Sequence, residues 1–423
     1  MLVIHRSLRL GLVIVVLAAA CSDSGSSQDG GPANADGGGD PGASDGGEAS
    51  DGIGSERAPD PTLTPNEKML VDLPADSWLK VPVGYAAQCD DTFAADWHAV
   101  SGCSALISAW SSGVWDPARR QMLVFGGGHN DYAGNEVYAF SAKTLTWTRL
   151  TQPSPKPYNK DPLDDGKPVS RHTYDGLTWI DHETKMLAWG GARSNDGNGT
   201  NVTWLFDPAL STWSSPSGSS VPPSSYDHSI VYDPVTKKAF VKVVQNLFSL
   251  DPGTNAWTLL HDLGYPPLWP RYAGGNPRGA LDTKRRNVWY VGGNLYMIYA
   301  IDTDKTVTDD WVTTGGGAFD NAAAVTGHPE QRIQTGGGDV ISKGAPGLDY
   351  DARADQMVAW VGGGPHVLDL ATKAWTRKSG ADAPTAPTGT GTYGRWRYLP
   401  EYNVFVLVTT PDAVYFYKNT AGP

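Results

Sequence analysis

From about residue 75 to the C-terminus, apolar and polar positions alternate in short runs, the period of half-buried strands. Six times an apolar run, a polar turn and a second apolar run follow one another. The copies are GVWDPARRQMLVFGGG (113–128), LTWIDHETKMLAWGG (177–191), IVYDPVTKKAFVKV (230–243), GALDTKRRNVWYVGG (279–293), LDYDARADQMVAWVGGG (348–364) and WRYLPEYNVFVLVTT (396–410). Each predicts a hairpin, and in four copies the second strand ends in two or three glycines. A third run follows, such as NEVYAF (135–140) or NVTWLF (201–206). Then comes a phrase closed by tryptophan: SAKTLTW (141–147), DPALSTW (207–213), DPGTNAW (251–257), DTDKTVTDDW (302–311) and DLATKAW (369–375).

Self-similarity at this spacing means one four-stranded unit copied around a ring, the blade of a β-propeller. Tryptophan marks the fourth strand at Trp147, Trp213, Trp257, Trp311 and Trp375. The sixth hairpin, followed by AVYFYK, lacks its own tryptophan strand, whereas SWLKVP (77–82), with Trp78, has no hairpin before it. An open ring would leave two sheet edges unpaired. The N-terminal strand is therefore expected to complete the last blade.

Paired glycines after strand two, an aromatic on strand three and a tryptophan on strand four resemble the kelch motif and the kelch-like propeller of galactose oxidases. The resemblance covers roughly Ala75 to Lys418 and implies an all-β, six-bladed kelch-type β-propeller closed by the N-terminal strand. The fold alone leaves function open, because one scaffold hosts enzymes and binding proteins alike.

Composition changes the picture at the N-terminus. Residues 1–20 carry Arg6 and Arg9, an apolar core to Leu17, and then Ala18-Ala19-Ala20-Cys21. They resemble a bacterial lipoprotein signal, which implies lipidation of Cys21 and, with Ser22, an outer-membrane or cell-surface location; an ordinary secretory signal cut nearby is the alternative. The membrane would then be met only through the lipid. Residues 21–62 are Gly, Ser, Asp, Ala and Pro with few large apolar side chains, a composition that predicts a disordered tether. Residues 63–423 are the expected propeller domain. Of the formal charge of −12, the tether carries −8 and the signal-like segment +2, leaving −6 on the body. An acidic body excludes nucleic acid as the expected partner. Besides Cys21 the chain has Cys89 and Cys103, which in an exported protein read as a disulfide; a metal site would need further ligands beside His98.

In a propeller the start of each inner strand and the end of the second strand share one face, where loops converge on the axis. The loop GGGHNDYAGNE places His129, Asn130, Asp131 and Tyr132 there. SRHTYDG adds Arg171, His172 and Tyr174; SSYDHS adds Tyr226, Asp227 and His228; PRYAGGNPRG adds Arg271, Tyr272, Asn276 and Arg278; TYGRWR adds Tyr393, Arg395 and Arg397. Any one of these can be a satisfied residue of a polar funnel. His129, His172, Tyr226, His228 and Arg271 together suggest a ligand site.

Two readings follow: a propeller holding an extracellular polysaccharide or peptide, most simply a glycan, and a uronate polysaccharide lyase. For β-elimination, Arg would neutralise the acid, His take the α-proton and Tyr protonate the leaving oxygen. The palette resembles propeller polysaccharide lyases, ulvan lyases among them. A copper oxidase of the galactose-oxidase type is disfavoured, since no Tyr-His dipeptide occurs, and a sialidase because its repeated Ser-x-Asp-x-Gly-x-x-Trp turns are missing. No cofactor is expected; calcium at Asp131, Asn130 and Asn135 is the candidate exception. Nothing in the pattern sets an oligomeric state.

Overall fold

The computed structural model describes residues 62–89, 102–155, 158, 160–194, 196–219, 221–226, 228–244, 246–262, 276–293, 295–310, 336–385 and 390–422. The signal-like segment, Cys21, nearly all of the tether, Asp227, Arg271, Tyr272 and Trp311 lie outside them. The described residues form six four-stranded antiparallel sheets and one two-stranded ladder. Five sheets follow chain order from inner to outer strand. In blade one, for example, the strands are Ser112–Asp116, Gln121–Phe125, Tyr138–Ser141 and Thr146–Arg149.

Blade six is the exception. Its three consecutive strands, Trp396–Leu399, Val404–Thr410 and Ala413–Lys418, are completed by Ser77–Val81, in register from Ser77↔Lys418 to Val81↔Val414. The expected closure is present. The Asp76 amide donates to Lys418 O at 2.8 Å, and the Tyr417 hydroxyl donates to Asp76 Oδ1 at 2.8 Å. On the inner side, Arg395 reaches across to blade one, its Nε donating to Ser111 O at 2.9 Å while the other two nitrogens hold Val408 O and Gly391 O. Cys89 and Cys103 form the disulfide, their Cα atoms 6.0 Å apart.

All six inner hairpin turns end in a residue in the left-handed region, Arg120, Thr184, Lys237, Arg286, Asp355 or Asn403. In four of them a carboxylate, Asp116, Asp233, Asp282 or Asp351, also accepts backbone N–H of the turn. In the outer turns the left-handed residue is Asp76, Leu145, Ser211, Asn255, Asp304 or Lys373. The tryptophan stands two places later in five blades, opposite Tyr417, Phe140, Phe206, Leu250 and Leu368. From there it reaches the neighbouring sheet: Trp213 lies 4.9 Å from Phe125 and Trp257 5.0 Å from Trp189, centroid to centroid. In blade four the same position is Thr306, opposite Tyr299. Trp311 is therefore not the fourth-strand equivalent of the others; the described outer strand there is Lys305–Asp310.

Candidate functional site

The second strand of blade two ends at Trp189, and Gly190 and Gly191 follow at φ of 74° and 94°. The chain turns there into a short ladder in which Arg171 pairs with Arg193 and His172 with Ala192. The ladder carries His172 to the axial face. His172 Nε2 lies 2.8 Å from Asp131 Oδ2 in the loop of blade one. A carboxylate only accepts, so the ring proton sits on Nε2 and leaves Nδ1 as the acceptor. Burial pushes the His172 pKa down, against the pull of Asp131. The ring is also flanked by Trp110, tilted at 4.7 Å, and His129, edge-on at 5.7 Å.

Tyr174 is the hub. It occupies the left-handed region, its N–H donates to Trp110 O at 2.7 Å, and burial with the nearby Tyr226 raises its pKa to about 12. Its ring lies 5.9 Å from His172, 6.3 Å from Tyr226, 6.2 Å from His228 and 6.2 Å from Tyr393. Side chains foreseen in four separate loops thus form one continuous aromatic cluster. Tyr226, 44% exposed, is its most open member and donates its hydroxyl to Gly197 O at 2.7 Å. Asn130 is exposed, and its Nδ2 stands 3.2 Å from His129 Nε2, which packs against Gly197.

His228 is the buried floor. A Cβ on Gly190 would come within 2.7 Å of its Cε1, and Trp189 packs on it at 5.3 Å. Neither ring nitrogen has a hydrogen-bond partner among the described residues. Burial lowers its pKa to about 4, although backbone groups of Ser225, Trp189 and Thr173 favour the charged ring. The unfolded chain therefore takes up this proton first as pH falls, so stability present above about pH 6.5 is lost on the way to pH 4. His228 alone is expected to remove about 3 kcal/mol over that window. Urea unfolding of native protein and His228→Phe at neutral and acidic pH tests this. Equal pH slopes for the two proteins would assign the loss to other groups.

The arginines are committed elsewhere. Arg171 is buried, its Nη2 2.7 Å from Asp161 Oδ2, which also accepts from Thr200 at 2.8 Å. Arg395 is spent on backbone carbonyls. Arg278 crosses the channel to Asp175, Nη1 to Oδ1 at 2.6 Å, with both side chains fully buried. Asp175 also accepts from Gly279 N at 2.9 Å and from the Ser229 hydroxyl, and so joins blades two, three and four. Tyr132 is buried too, donating to Glu136 Oε1 at 2.7 Å. Asn135 turns inward, its amide donating to Ser154 Oγ and Pro168 O. Among the described residues no three His, Cys, Asp or Glu side chains converge as metal ligands.

Sequence reading missed Trp110, Asp161 and Asp175. Only Asp175 left a trace, as the acid of SRHTYDG.

Six blades, the turn construction and the recurring tryptophan define the chain as a kelch-repeat β-propeller. In line with this, it is 30% identical over 142 residues to Kelch domain-containing protein 3 of Bos taurus, Rattus norvegicus and Mus musculus. Each match covers 32% of this chain and 35% of the relative, so the chain spans about a third of the length of the curated relatives it matches. No family model matches. Among solved structures, a chain of the nidogen/laminin complex is similar with a TM-score of 0.40 and 8% identity, over 65% of this chain and 81% of that one.

Proposed function

We propose that the protein is an exported, lipid-anchored propeller that binds a glycan on its axial loop face. The observation that carries this reading is the aromatic cluster centred on Tyr174, open to solvent at Tyr226 and edged by Asn130. Flat rings beside amide and carboxylate groups suit a sugar, which presents an apolar face and hydroxyls together. A signal-like N-terminus ending at Cys21 and the acidic, Gly-rich stretch after it support export and tethering. The His172–Asp131 pair beside two tyrosines favours, as a second reading, β-elimination of a uronate. Against it, Arg171, Arg278 and Arg395 are turned to internal partners, while Arg271, the arginine of the candidate set, lies outside the described residues.

Titration of the full chain against neutral and uronate-containing polysaccharides distinguishes the two. Glycan binding is expected, weakened about tenfold by Tyr226→Ala, with no growth of ultraviolet absorbance from unsaturated sugar ends. Unchanged affinity in Tyr226→Ala would remove the cluster as the site. Growth of that absorbance would establish the lyase.

A further inference from the structure

The axis of the ring holds a second feature, on the side away from the aromatic cluster. A cavity of about 300 Å³ is walled by the downstream halves of all six inner strands. Its rim includes Pro117, Pro234, Ala352 and Pro400, exposed residues of the hairpin turns, so it opens to solvent on that face. Its lining includes five aromatic residues, Trp115, Trp179, Tyr232, Tyr350 and Tyr398, and two acids, Asp181 and Asp349. Arg397 is the one Lys or Arg among the lining residues.

Hydrogen-bond bookkeeping at the inner end leaves donors in surplus. Arg397 Nε donates to Gly394 O at 3.1 Å and Nη2 to Gly113 O at 3.4 Å, while Nη1 has no acceptor among the described residues. Arg278 uses Nη1 on Asp175, and its Nε and Nη2 are buried without a partner. The carboxylates nearby are engaged already. Asp349 accepts the amides of Tyr350 and Tyr398 through its two oxygens, and Asp175 is held by Arg278, Ser229 and Gly279. Burial, and then the charge of Arg278, lower the Arg397 pKa to about 10; Arg278 is fully buried, whereas Arg397 is half-buried. Unpartnered buried N–H groups are rare because each costs a desolvation penalty. Arg278 holds two such groups, and the half-buried Arg397, whose charge it feels, lines a chamber whose volume is at the lower end of small-molecule pockets.

We propose that this cavity is a binding site for a small carboxylate with a flat apolar body, its acid group on Arg397 and its body between the aromatic walls. A guanidinium offers paired N–H donors in the plane of a carboxylate, whereas a neutral isostere would leave the same donors unpaired. The site is independent of the glycan reading, since it shares no residue with the axial cluster.

The test is tryptophan fluorescence and calorimetric titration of the full chain with benzoate, set against benzyl alcohol as its neutral counterpart. Saturable one-site binding of benzoate is expected, at least tenfold tighter than benzyl alcohol. Arg397→Met should abolish that preference, and Tyr226→Ala should leave it intact. The proposal is overturned if benzoate does not saturate, if both probes bind alike, or if the preference survives in Arg397→Met. Loss of benzoate binding in Tyr226→Ala would place the probe on the axial cluster and overturn it equally. Should Arg397→Met not fold, the ratio of the two probes in the native protein decides.

Discussion

Asp175→Ala is expected to destabilise the protein by about 3–5 kcal/mol, since it strands the guanidinium of Arg278 in a fully buried place. Burial raises the pKa of Asp175, and Arg278, Ser229 and Gly279 hold its charged form against that pressure. Removing the acid leaves a third donor of Arg278 unpaired and frees the Gly279 amide and the Ser229 hydroxyl in the same step. Domains are stable by only about 5–15 kcal/mol, so the loss is a large share of the total. Urea unfolding of Asp175→Ala, Arg278→Met and the double variant measures it. The double variant should regain much of the stability, because it buries no lone charge. A cost below about 1 kcal/mol for Asp175→Ala would show that the pair does not hold the axis together.

Trp78→Ala is the second large effect, again about 3–5 kcal/mol. Trp78 is 8% exposed, with Tyr417 at 5.0 Å and Trp396 at 6.0 Å between ring centroids. Those partners belong to the C-terminal strands of blade six, so the cavity would open in the seam that closes the ring. Trp213→Ala supplies the comparison, because that ring is only partly buried and its blade is continuous in sequence. Denaturation midpoints should fall further for Trp78→Ala than for Trp213→Ala. Equal shifts would mean the closing blade is no more sensitive than an ordinary one.

The scaffold was legible because each blade repeats a local pattern that a strand or turn needs whatever surrounds it. Alternating runs, a polar turn and an orphan SWLKVP segment are all properties of short stretches. Blade four shows where the reading slipped. Trp311 lies nine residues beyond Asp302, whereas the other tryptophans stand six beyond the first residue of their phrase. The left-handed turn residue Asp304 puts Thr306, not a tryptophan, on the packing position.

The site was legible as a list of residues but not as an arrangement. His172 and Asp131 are 41 residues apart, and only the two-stranded ladder of blade two brings them together. Arginines that look alike in sequence separate by burial. Arg171 and Arg278 find acids 10 and 103 residues away, and Arg395 finds only carbonyls. Their commitment to the interior is a property of packing between blades, which no single repeat encodes.

The strand that seals the ring also sets a clock. Asp76 and its partner Tyr417 are 341 residues apart, so the segment that leaves the ribosome early waits for one that leaves late. At about 5–20 residues per second, that interval is roughly 20–70 s. Throughout it, Trp78 and the backbone of Ser77–Val81 have no sheet to join. Blades one to five can form in order as they emerge, but the circle is completed only once Ala413–Lys418 is available to pair.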